Sequence, residues 1–357
     1  MAVNEIRSVY RTLRSVELTP KILIIDGLPG CGKTMFSPIV SALERVEKLT
    51  FAFEIENICQ LHDLGKLDAE SAATMVRIIT DQKMYNMMMG REVNFRLKDL
   101  SGVFMDAQPW RYIKRIFGPG DETVPARVQA EQPILHLTTH QLLSYGRPVF
   151  DALKERLVWV DVVRHPLYMI KQQMLNMERL IADARYFNIH IEHKGKEIPF
   201  WTKGWEDVFI TANDTERAVY SIVNMARRTD ESLKALPELY RQKVLVIPFE
   251  CFVLEPMPYM NKLVALLGTR MIPATYRMMS KQKVPRKKIA QGLDLPIYRR
   301  CGWQPAKAGA DECDELADRR NWTLARVAPE VMKIFDERCR EFERSYLGGE
   351  QKIPGRS

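Results

Sequence analysis

The 357-residue sequence contains no run of 18 apolar residues, and we therefore predict no membrane-spanning helix. From Met1 to Pro20, charged residues interrupt the apolar ones, so this stretch lacks the hydrophobic core of a secretion signal. Cysteine is scarce and never occurs at C-x-x-C spacing, which predicts reduced thiols at Cys31, Cys59, Cys251, Cys301, Cys313 and Cys339. Together these absences favour a cytoplasmic location.

The sequence also lacks a basic stripe with interleaved aromatic residues, zinc-finger spacing and any repeat of 20 to 50 residues, so we expect no nucleic-acid partner. Its formal net charge of +8 nevertheless favours an anionic ligand. With 46% hydrophobic and 27% charged residues, the composition is that of a globular protein. We expect one α/β domain over residues 1–349, followed by a disordered tail at 350–357.

One motif organises the chain. It matches the Walker A pattern G-x-x-x-x-G-K-[ST], and it follows an apolar run at 21–26, which predicts a buried strand, and precedes a predicted helix at 35–46. Glycines let backbone N–H groups approach phosphate oxygens, the helix dipole adds partial positive charge, and the lysine adds a full charge. The motif predicts a phosphate-binding loop (P-loop) whose ligand contacts come from Gly27, Pro29, Gly30, Cys31, Gly32, Lys33 and Thr34.

The other apolar runs alternate with segments of helical periodicity. Strands are predicted at 49–53, 134–140, 157–163 and 243–250, and helices at 57–89, 147–156, 167–184, 215–235, 256–267 and 329–347. Strands separated by helices form parallel sheets with right-handed crossovers, so we expect a three-layer P-loop fold with helices on both faces of the sheet. The basic region 269–304 is expected to be irregular.

Residues 187–205 interrupt this pattern and predict an inserted β-hairpin. Two alternating segments flank Lys194-Gly195, a favourable two-residue turn, and we expect the hairpin to form a lid over an acceptor. His190, Glu192 and His193 could suggest a metal site. His190 and Glu192 would share one face of a strand and His193 would lie on the other, so no metal site is predicted.

Two candidate site residues follow predicted strands. His140 ends the strand at 134–140, and Arg164 follows the strand at 157–163, just before Pro166, which can begin a helix. In open α/β sheets, ligands bind outside the carboxyl ends of the strands. His140 is therefore a candidate general base, and Arg164 is a candidate phosphate ligand.

Several segments together resemble the sulfotransferases that use 3′-phosphoadenosine 5′-phosphosulfate (PAPS) as donor. They cover most of the chain: the P-loop at 27–34, the pair Thr139-His140, the strand with Arg-x-Pro at 160–166, the strand at 244–252 with Leu266-Leu267-Gly268, and the basic loop at 285–288.

This resemblance implies transfer of a sulfonate group from PAPS to a hydroxyl of a small molecule or a glycan, without a metal. It implies that the loop and Lys33 hold the phosphosulfate and that His140 removes the proton of the acceptor hydroxyl. It also implies that Arg164, with Arg286 or Lys287, binds the 3′-phosphate.

The sequence departs from the family pattern in its P-loop and in its 3′-phosphate segment. Gly30 stands where the family has a lysine or arginine, and the lysine lies instead at position 33, as in ATP-using P-loop enzymes. Gln172 stands where the family has a serine that contributes to the 3′-phosphate pocket.

These departures keep an ATP-dependent small-molecule kinase as the alternative. In that interpretation Thr34 would coordinate magnesium, Asp161 would be the acidic residue of a second nucleotide-site strand, and Asp26, Glu54 or Glu56 would act as base or metal ligand. A third interpretation is a nucleotide-binding protein without catalysis.

Overall fold

The computed structural model describes residues 10–97, 99, 101–177, 179–180, 183–300, 303–305 and 311–348, and the side chain of Ile297 is not described. The predicted tail at 350–357 and the predicted thiol at Cys301 lie outside these residues. Among the described residues, no helix is long and apolar enough to cross a membrane.

The strands are β1 (Lys21–Asp26), β2 (Thr50–Phe51), β3 (Ile134–Thr138), β4 (Leu157–Val163), β5 (His190–His193), β6 (Lys196–Pro199) and β7 (Val244–Pro248). Five of them form a parallel sheet at the centre of the fold, with the strand order β2-β3-β1-β4-β7. A separate antiparallel pair is formed by β5 and β6. In β1, Ile22 to Ile25 are fully buried, as expected for a central strand covered on both faces.

Helices flank this sheet. They are α1 (Lys33–Ser41), α2 (Phe53–Asp63), α3 (Ala69–Met88), α4 (Pro109–Ile116), α5 (Val124–Glu131), α6 (Arg147–Leu153), α7 (Pro166–Met177), α8 (Glu206–Thr211), α9 (Asp214–Ala235), α10 (Glu238–Arg241), α11 (Phe249–Leu254), α12 (Met257–Leu267), α13 (Pro273–Lys281), α14 (Pro296–Arg300), α15 (Glu312–Leu324) and α16 (Pro329–Phe342). The predicted α/β fold with a central parallel sheet is confirmed.

The strand order places a topological switch point at the carboxyl end of β1. From β1 the chain moves to β2 and β3 on one side, and then to β4 and β7 on the other. With right-handed crossovers, this reversal puts connecting helices on opposite faces and opens a crevice where the two halves meet. The P-loop lies in this crevice, between the residues that follow β3 and those that follow β4.

Several predicted boundaries are wrong. The strand predicted at 49–53 is limited to Thr50–Phe51, because α2 already begins at Phe53. The helix after the P-loop ends at Ser41 and not at residue 46. The region 269–304 is not irregular throughout, since it contains α13 and α14. The helix α15 was not predicted at all.

The inserted hairpin forms as predicted. β5 and β6 pair in antiparallel register, with His193 opposite Lys196. Lys194 and Gly195 both have positive φ values, 50° and 73°, which the two-residue turn requires. His190 pairs with Glu197 at 2.7 Å, and His193 pairs with Asp207 at 2.9 Å, so the two histidines have different partners.

Candidate active site

The P-loop backbone depends on its glycines. Gly27, Gly30 and Gly32 have φ values of 135°, 92° and 109°, a region that residues with a side chain rarely adopt. A Cβ atom on Gly27 would lie 2.3 Å from the backbone oxygen of Val162, and one on Gly32 would lie 2.3 Å from the Phe249 ring. The loop therefore approaches its neighbours as closely as only glycine allows.

The P-loop leads directly into α1, which begins at Lys33, and no side chain of the described residues caps the N-terminus of this helix. The first N–H groups of a helix have no partner within the helix, and the dipole makes this end partially positive. The N-terminus of α1 can therefore bind an anion, which supports the predicted role of the loop.

Lys33 is held by the loop itself. Its side chain is buried, and Nζ donates hydrogen bonds to the carbonyl of Gly27 and, at 3.4 Å, to that of Leu28. Lys33 and the exposed Thr34 both line the cavity in front of the loop. Cys31 also lines this cavity; its side chain is buried, and burial raises the pKa of its thiol.

Arg164 ties the end of β4 to the P-loop. Its Nη1 donates a hydrogen bond of 3.0 Å to the carbonyl oxygen of Gly30. Its guanidinium carbon lies 4.3 Å from the centre of the Phe249 ring and 4.9 Å from that of Tyr168. Burial lowers the pKa of Arg164, and its Nε has no hydrogen-bond partner among the described residues.

Two further arginines share these aromatic rings. Arg286 lies 5.5 Å from the centre of the Phe249 ring, and Arg319 lies 4.6 Å from that of Tyr168. Burial, with a smaller contribution from the charge of Arg164, lowers the pKa of Arg286 to about 10. Arg164 therefore shares one aromatic ring with each of the other two arginines.

Two carboxylates partly balance this arginine cluster. Glu315 accepts hydrogen bonds of 3.1 and 2.9 Å from Arg319. Glu250 lies 4.0 Å from Nε of Arg164, but it is buried and burial raises the pKa of its carboxyl group. The cluster therefore keeps a net positive charge at one side of the cavity.

We call the space between the P-loop and the arginine cluster the loop cavity; it measures about 190 Å³. Besides the arginines Arg164, Arg286 and Arg319, its wall contains the aromatic residues Tyr168, Phe249, Tyr298 and Trp303. Lys287, which we predicted as an alternative to Arg286 in assisting Arg164, is exposed and does not line this cavity. The loop cavity can accommodate a molecule that carries anionic groups at two separate positions.

His140 lies where the loop cavity meets a second one. Its Nδ1 lies 3.2 Å from Oε1 of Glu56, and the same oxygen accepts a bond of 2.9 Å from the His140 backbone N–H. The imidazole is about one-third exposed and stacks on Phe53, with ring centres 5.9 Å apart. These contacts fix the ring at the end of β3.

The second cavity, which we call the aromatic cavity, measures about 280 Å³ and has His140, Pro29 and Gln172 in common with the loop cavity. Its aromatic wall is formed by Phe53, Tyr145, Tyr186, Phe187, Phe200 and Trp201. The last two follow directly after the hairpin strand β6. The predicted insertion thus contributes to the wall of this cavity.

Gly30 and Gln172, the two departures from the sulfotransferase pattern, lie against each other. A Cβ atom on Gly30 would lie 3.1 Å from Oε1 of Gln172, so the glutamine side chain occupies the space beside the loop. Gln172 also lies at the boundary of the two cavities. A longer residue at position 30 would displace this amide.

The acidic residues of the kinase interpretation have other partners. Asp26 accepts bonds of 2.9 and 2.7 Å from the Thr139 hydroxyl and the Leu143 backbone N–H, so it holds the chain after β3. Asp161 lies inside β4 opposite Asp26, and burial raises its pKa to about 8. Glu54 bonds to Lys83 at 3.1 Å. These carboxylates do not line the loop cavity beside Thr34.

Within the described ranges, no group of three or more histidine, cysteine, aspartate or glutamate residues could hold a metal ion.

No protein-family model matches the sequence. No curated protein matches it either. Solved structures similar to it are a sulfotransferase domain from the curacin biosynthetic pathway (12% identity, 89% of this chain and 97% of that chain, TM-score 0.42) and a mouse sulfotransferase in complex with PAP (11% identity, 94% and 88%, TM-score 0.37). A sulfotransferase from Mycobacterium avium is also similar (12% identity, 87% and 78%, TM-score 0.38).

Sequence reasoning missed part of this site. Arg319 comes from α15, whose polar sequence gives little helical periodicity, and its neighbour Tyr168 carries no motif. Phe249 and Glu250 were only noted as the end of a strand, although the structure places Phe249 between the P-loop and the arginine cluster. Glu56 was considered as a base in a kinase, whereas it contacts His140.

Proposed function

We propose that this protein transfers a sulfonate group from PAPS to a hydroxyl group of a small molecule or a glycan. The observation that carries this proposal is the loop cavity. It joins an uncapped helix N-terminus to a cluster of three arginines and meets the aromatic cavity at His140. A donor with two separate anionic groups and an acceptor with an apolar body would fit this pair of cavities.

The charges of the loop cavity suit the two ends of the donor. The P-loop N–H groups, Lys33 and Thr34 would bind the 5′-phosphosulfate. Arg164, Arg286 and Arg319 would bind the 3′-phosphate, because guanidinium groups form strong charge-assisted hydrogen bonds with phosphate. The faces of Tyr298 and Trp303 in the same wall could pack against the adenine ring. Lys33 would first exchange its bonds to the loop carbonyls for the anion.

The chemical step is a direct displacement at sulfur. The acceptor oxygen forms a bond to sulfur while the bond from sulfur to the 5′-phosphate oxygen breaks and leaves its electron pair on that oxygen. Nε2 of His140 takes the hydroxyl proton, and the P-loop N–H groups with Lys33 stabilise the charge on the departing phosphate. Positioning of both molecules at the junction provides the rest of the acceleration.

A small-molecule kinase remains the second candidate because Lys33-Thr34 is an ATP-type sequence and Thr34 is exposed in the loop cavity. The arrangement of carboxylates disfavours it. Asp26 is engaged with the residues after β3, and Asp161 is buried with a raised pKa. A carboxyl group that keeps its proton is a poor magnesium ligand.

Transfer can be measured with PAPS labelled in its sulfonate group and an extract of small metabolites as acceptor source. We expect labelled products and free 3′-phosphoadenosine 5′-phosphate (PAP) without added metal. Labelled products from γ-labelled ATP and magnesium, with none from PAPS, would overturn the proposal in favour of a kinase. Binding of either nucleotide without any transfer would favour a non-catalytic protein.

Two variants separate donor binding from chemistry. Lys33→Ala should lose most of its affinity for PAP, because it removes a full positive charge from the loop. His140→Ala should keep that affinity and lose about 10²- to 10⁴-fold in turnover, the usual contribution of a general base. Calorimetry and initial-rate measurements provide the two readouts, and normal turnover by His140→Ala would show that the base is another group.

A further inference from the structure

A buried carboxylate stands behind the imidazole of His140. Glu56, in the first turns of α2, is almost completely buried, yet its nearest partner for an ion pair is His140. Its Oε1 lies 3.2 Å from Nδ1 of His140 and accepts the His140 backbone N–H at 2.9 Å. Glu56 lines the aromatic cavity but not the loop cavity.

This geometry selects one tautomer of the histidine. A carboxylate is only an acceptor, so Nδ1 must carry the hydrogen when it bonds to Glu56. In the neutral ring, Nε2 is then the nitrogen with a free lone pair. When Nε2 takes a proton, the buried carboxylate faces a positively charged ring and stabilises it, as in other base-and-orienter pairs.

The surrounding residues hold this pair in place. The Tyr145 hydroxyl donates to the carbonyl oxygen of His140 at 3.3 Å, and Nε2 of Gln60 donates to the Tyr145 hydroxyl at 3.5 Å. Burial, with a smaller contribution from the charge of Glu56, raises the pKa of Tyr145, which keeps its phenol protonated as a donor. The nearby thiol of Cys59 is likewise kept protonated by burial.

We propose that Glu56 is the positioning residue of the reaction, which holds His140 as its Nδ1–H tautomer and presents Nε2 to the acceptor hydroxyl. This inference rests on the proposed function for its kinetic part. It extends that function by assigning a residue that orients the general base on the acceptor side. Glu56 moves no proton itself, because the acceptor proton is bound at Nε2.

The tautomer can be tested without any donor or acceptor. Ring ¹⁵N chemical shifts of His140, assigned by comparison with His140→Ala, distinguish Nδ1–H from Nε2–H. We expect Nδ1–H in the wild-type protein and a change toward Nε2–H in Glu56→Leu, which removes the acceptor oxygen. An Nε2–H ring in the wild-type protein would overturn the inference, whatever reaction the protein catalyses.

The kinetic role is tested by a double-mutant cycle with Glu56→Gln and His140→Ala. Glu56→Gln can keep the hydrogen bond to the backbone N–H and removes only the negative charge, so it should fold. We expect it to lower kcat about 10- to 100-fold, to leave the affinity for PAP unchanged, and to have no further effect when His140 is already alanine. Glu44→Gln, which alters a surface ion pair with Arg270, is the matched control and should keep wild-type kcat.

The outcomes separate this inference from the proposed function. If the wild-type protein transfers sulfonate and Glu56→Gln keeps full kcat, or lowers it equally in the His140→Ala background, Glu56 has only a structural role. If the wild-type protein transfers no sulfonate, the proposed function fails, and the ¹⁵N measurement alone decides whether Glu56 fixes the tautomer.

Discussion

Arg319 extends the positive wall of the loop cavity from α15, a helix that begins more than a hundred residues after Arg164 and Tyr168. It shares the Tyr168 ring with Arg164, and its only ion-pair partner among the described residues is Glu315. Guanidinium groups of like charge repel one another unless an anion lies between them. A bound polyanion would therefore relieve the mutual repulsion of the arginines in this cluster.

Arg319→Ala should weaken PAP binding about 10- to 100-fold, because a hydrogen bond to a charged group contributes about 1.5–3 kcal/mol. Isothermal titration calorimetry provides the measurement. Arg320→Ala is the control, since Arg320 pairs with Asp336 at 2.6 Å on the surface and does not line the loop cavity. Equal affinity of Arg319→Ala and wild type would show that Arg319 does not contact the nucleotide.

At the residue scale, the sequence predicted those site residues that belong to a local motif or follow a predicted strand. Lys33 belongs to the Walker A pattern, and Arg164 and His140 follow strands, so their positions could be deduced from the chain itself. Arg319 and Glu56 could not, because each acts through a contact with an element distant in sequence. Lys287 was implied by the resemblance of the basic loop at 285–288 to that of sulfotransferases, and such a resemblance does not say which side chain of the loop faces inward.

Among the elements, the turn from β1 into α1 depends most strictly on residue type. Gly27→Ala combines a φ of 135° with a Cβ atom 2.3 Å from the Val162 backbone oxygen, and backbone atoms cannot yield as a side chain can. We expect it to lower the free energy of unfolding by roughly 3 kcal/mol or more.

Thermal or urea unfolding measures this loss, and Gly65→Ala is the matched control. Gly65 also has a positive φ, 68°, but a Cβ there would meet no atom within 4 Å. Only the conformational cost of about 1–2 kcal/mol should then appear. An equal effect of the two substitutions would contradict the close approach of the P-loop to β4.

The strand β4 contains a carboxyl group that makes stability depend on pH. Burial, assisted by the charge of Asp26, raises the pKa of Asp161 to about 8 from an ordinary value of 3.8. Between these values the folded protein keeps a proton that the unfolded chain has lost. The free energy of unfolding therefore falls as the pH rises from about 4 to about 8.

Asp161→Asn removes this titration and keeps the shape of the neutral group. We expect the melting temperature of the variant minus that of the wild type to increase as the pH is raised through this interval. Above about pH 8 this difference should not increase further. Thermal unfolding at a series of pH values measures the difference. A difference that stays constant with pH would show that Asp161 is ionised in the folded protein.

Element prediction succeeded where burial leaves a clear pattern. β1 is apolar from Ile22 to Ile25, and in β4 every residue except Asp161 is apolar. α15 was missed because only Leu316, Arg319 and Thr323 of its thirteen residues are buried. A helix that packs through such a narrow stripe has almost no apolar periodicity.

In the whole molecule, two cavities meet at His140, and each has its own residues. Phe187 lines only the aromatic cavity, where its ring centre lies 5.8 Å from that of Phe53. Phe187→Ala should raise the KM of an acceptor about 10-fold and leave PAP affinity unchanged. Phe117→Ala, at an exposed position outside both cavities, is the control. Loss of PAP affinity in Phe187→Ala would contradict the separation of the two cavities.

The central claim concerns the donor, and calorimetric titration tests it most directly. PAP without metal is compared with ATP in the presence and absence of magnesium, on the wild-type protein. We predict metal-independent PAP binding that is much tighter than ATP binding, because in the proposed site only PAP would place a phosphate at Arg164, Arg286 and Arg319. Magnesium-dependent ATP binding with no response to PAP would contradict the account and would favour a kinase.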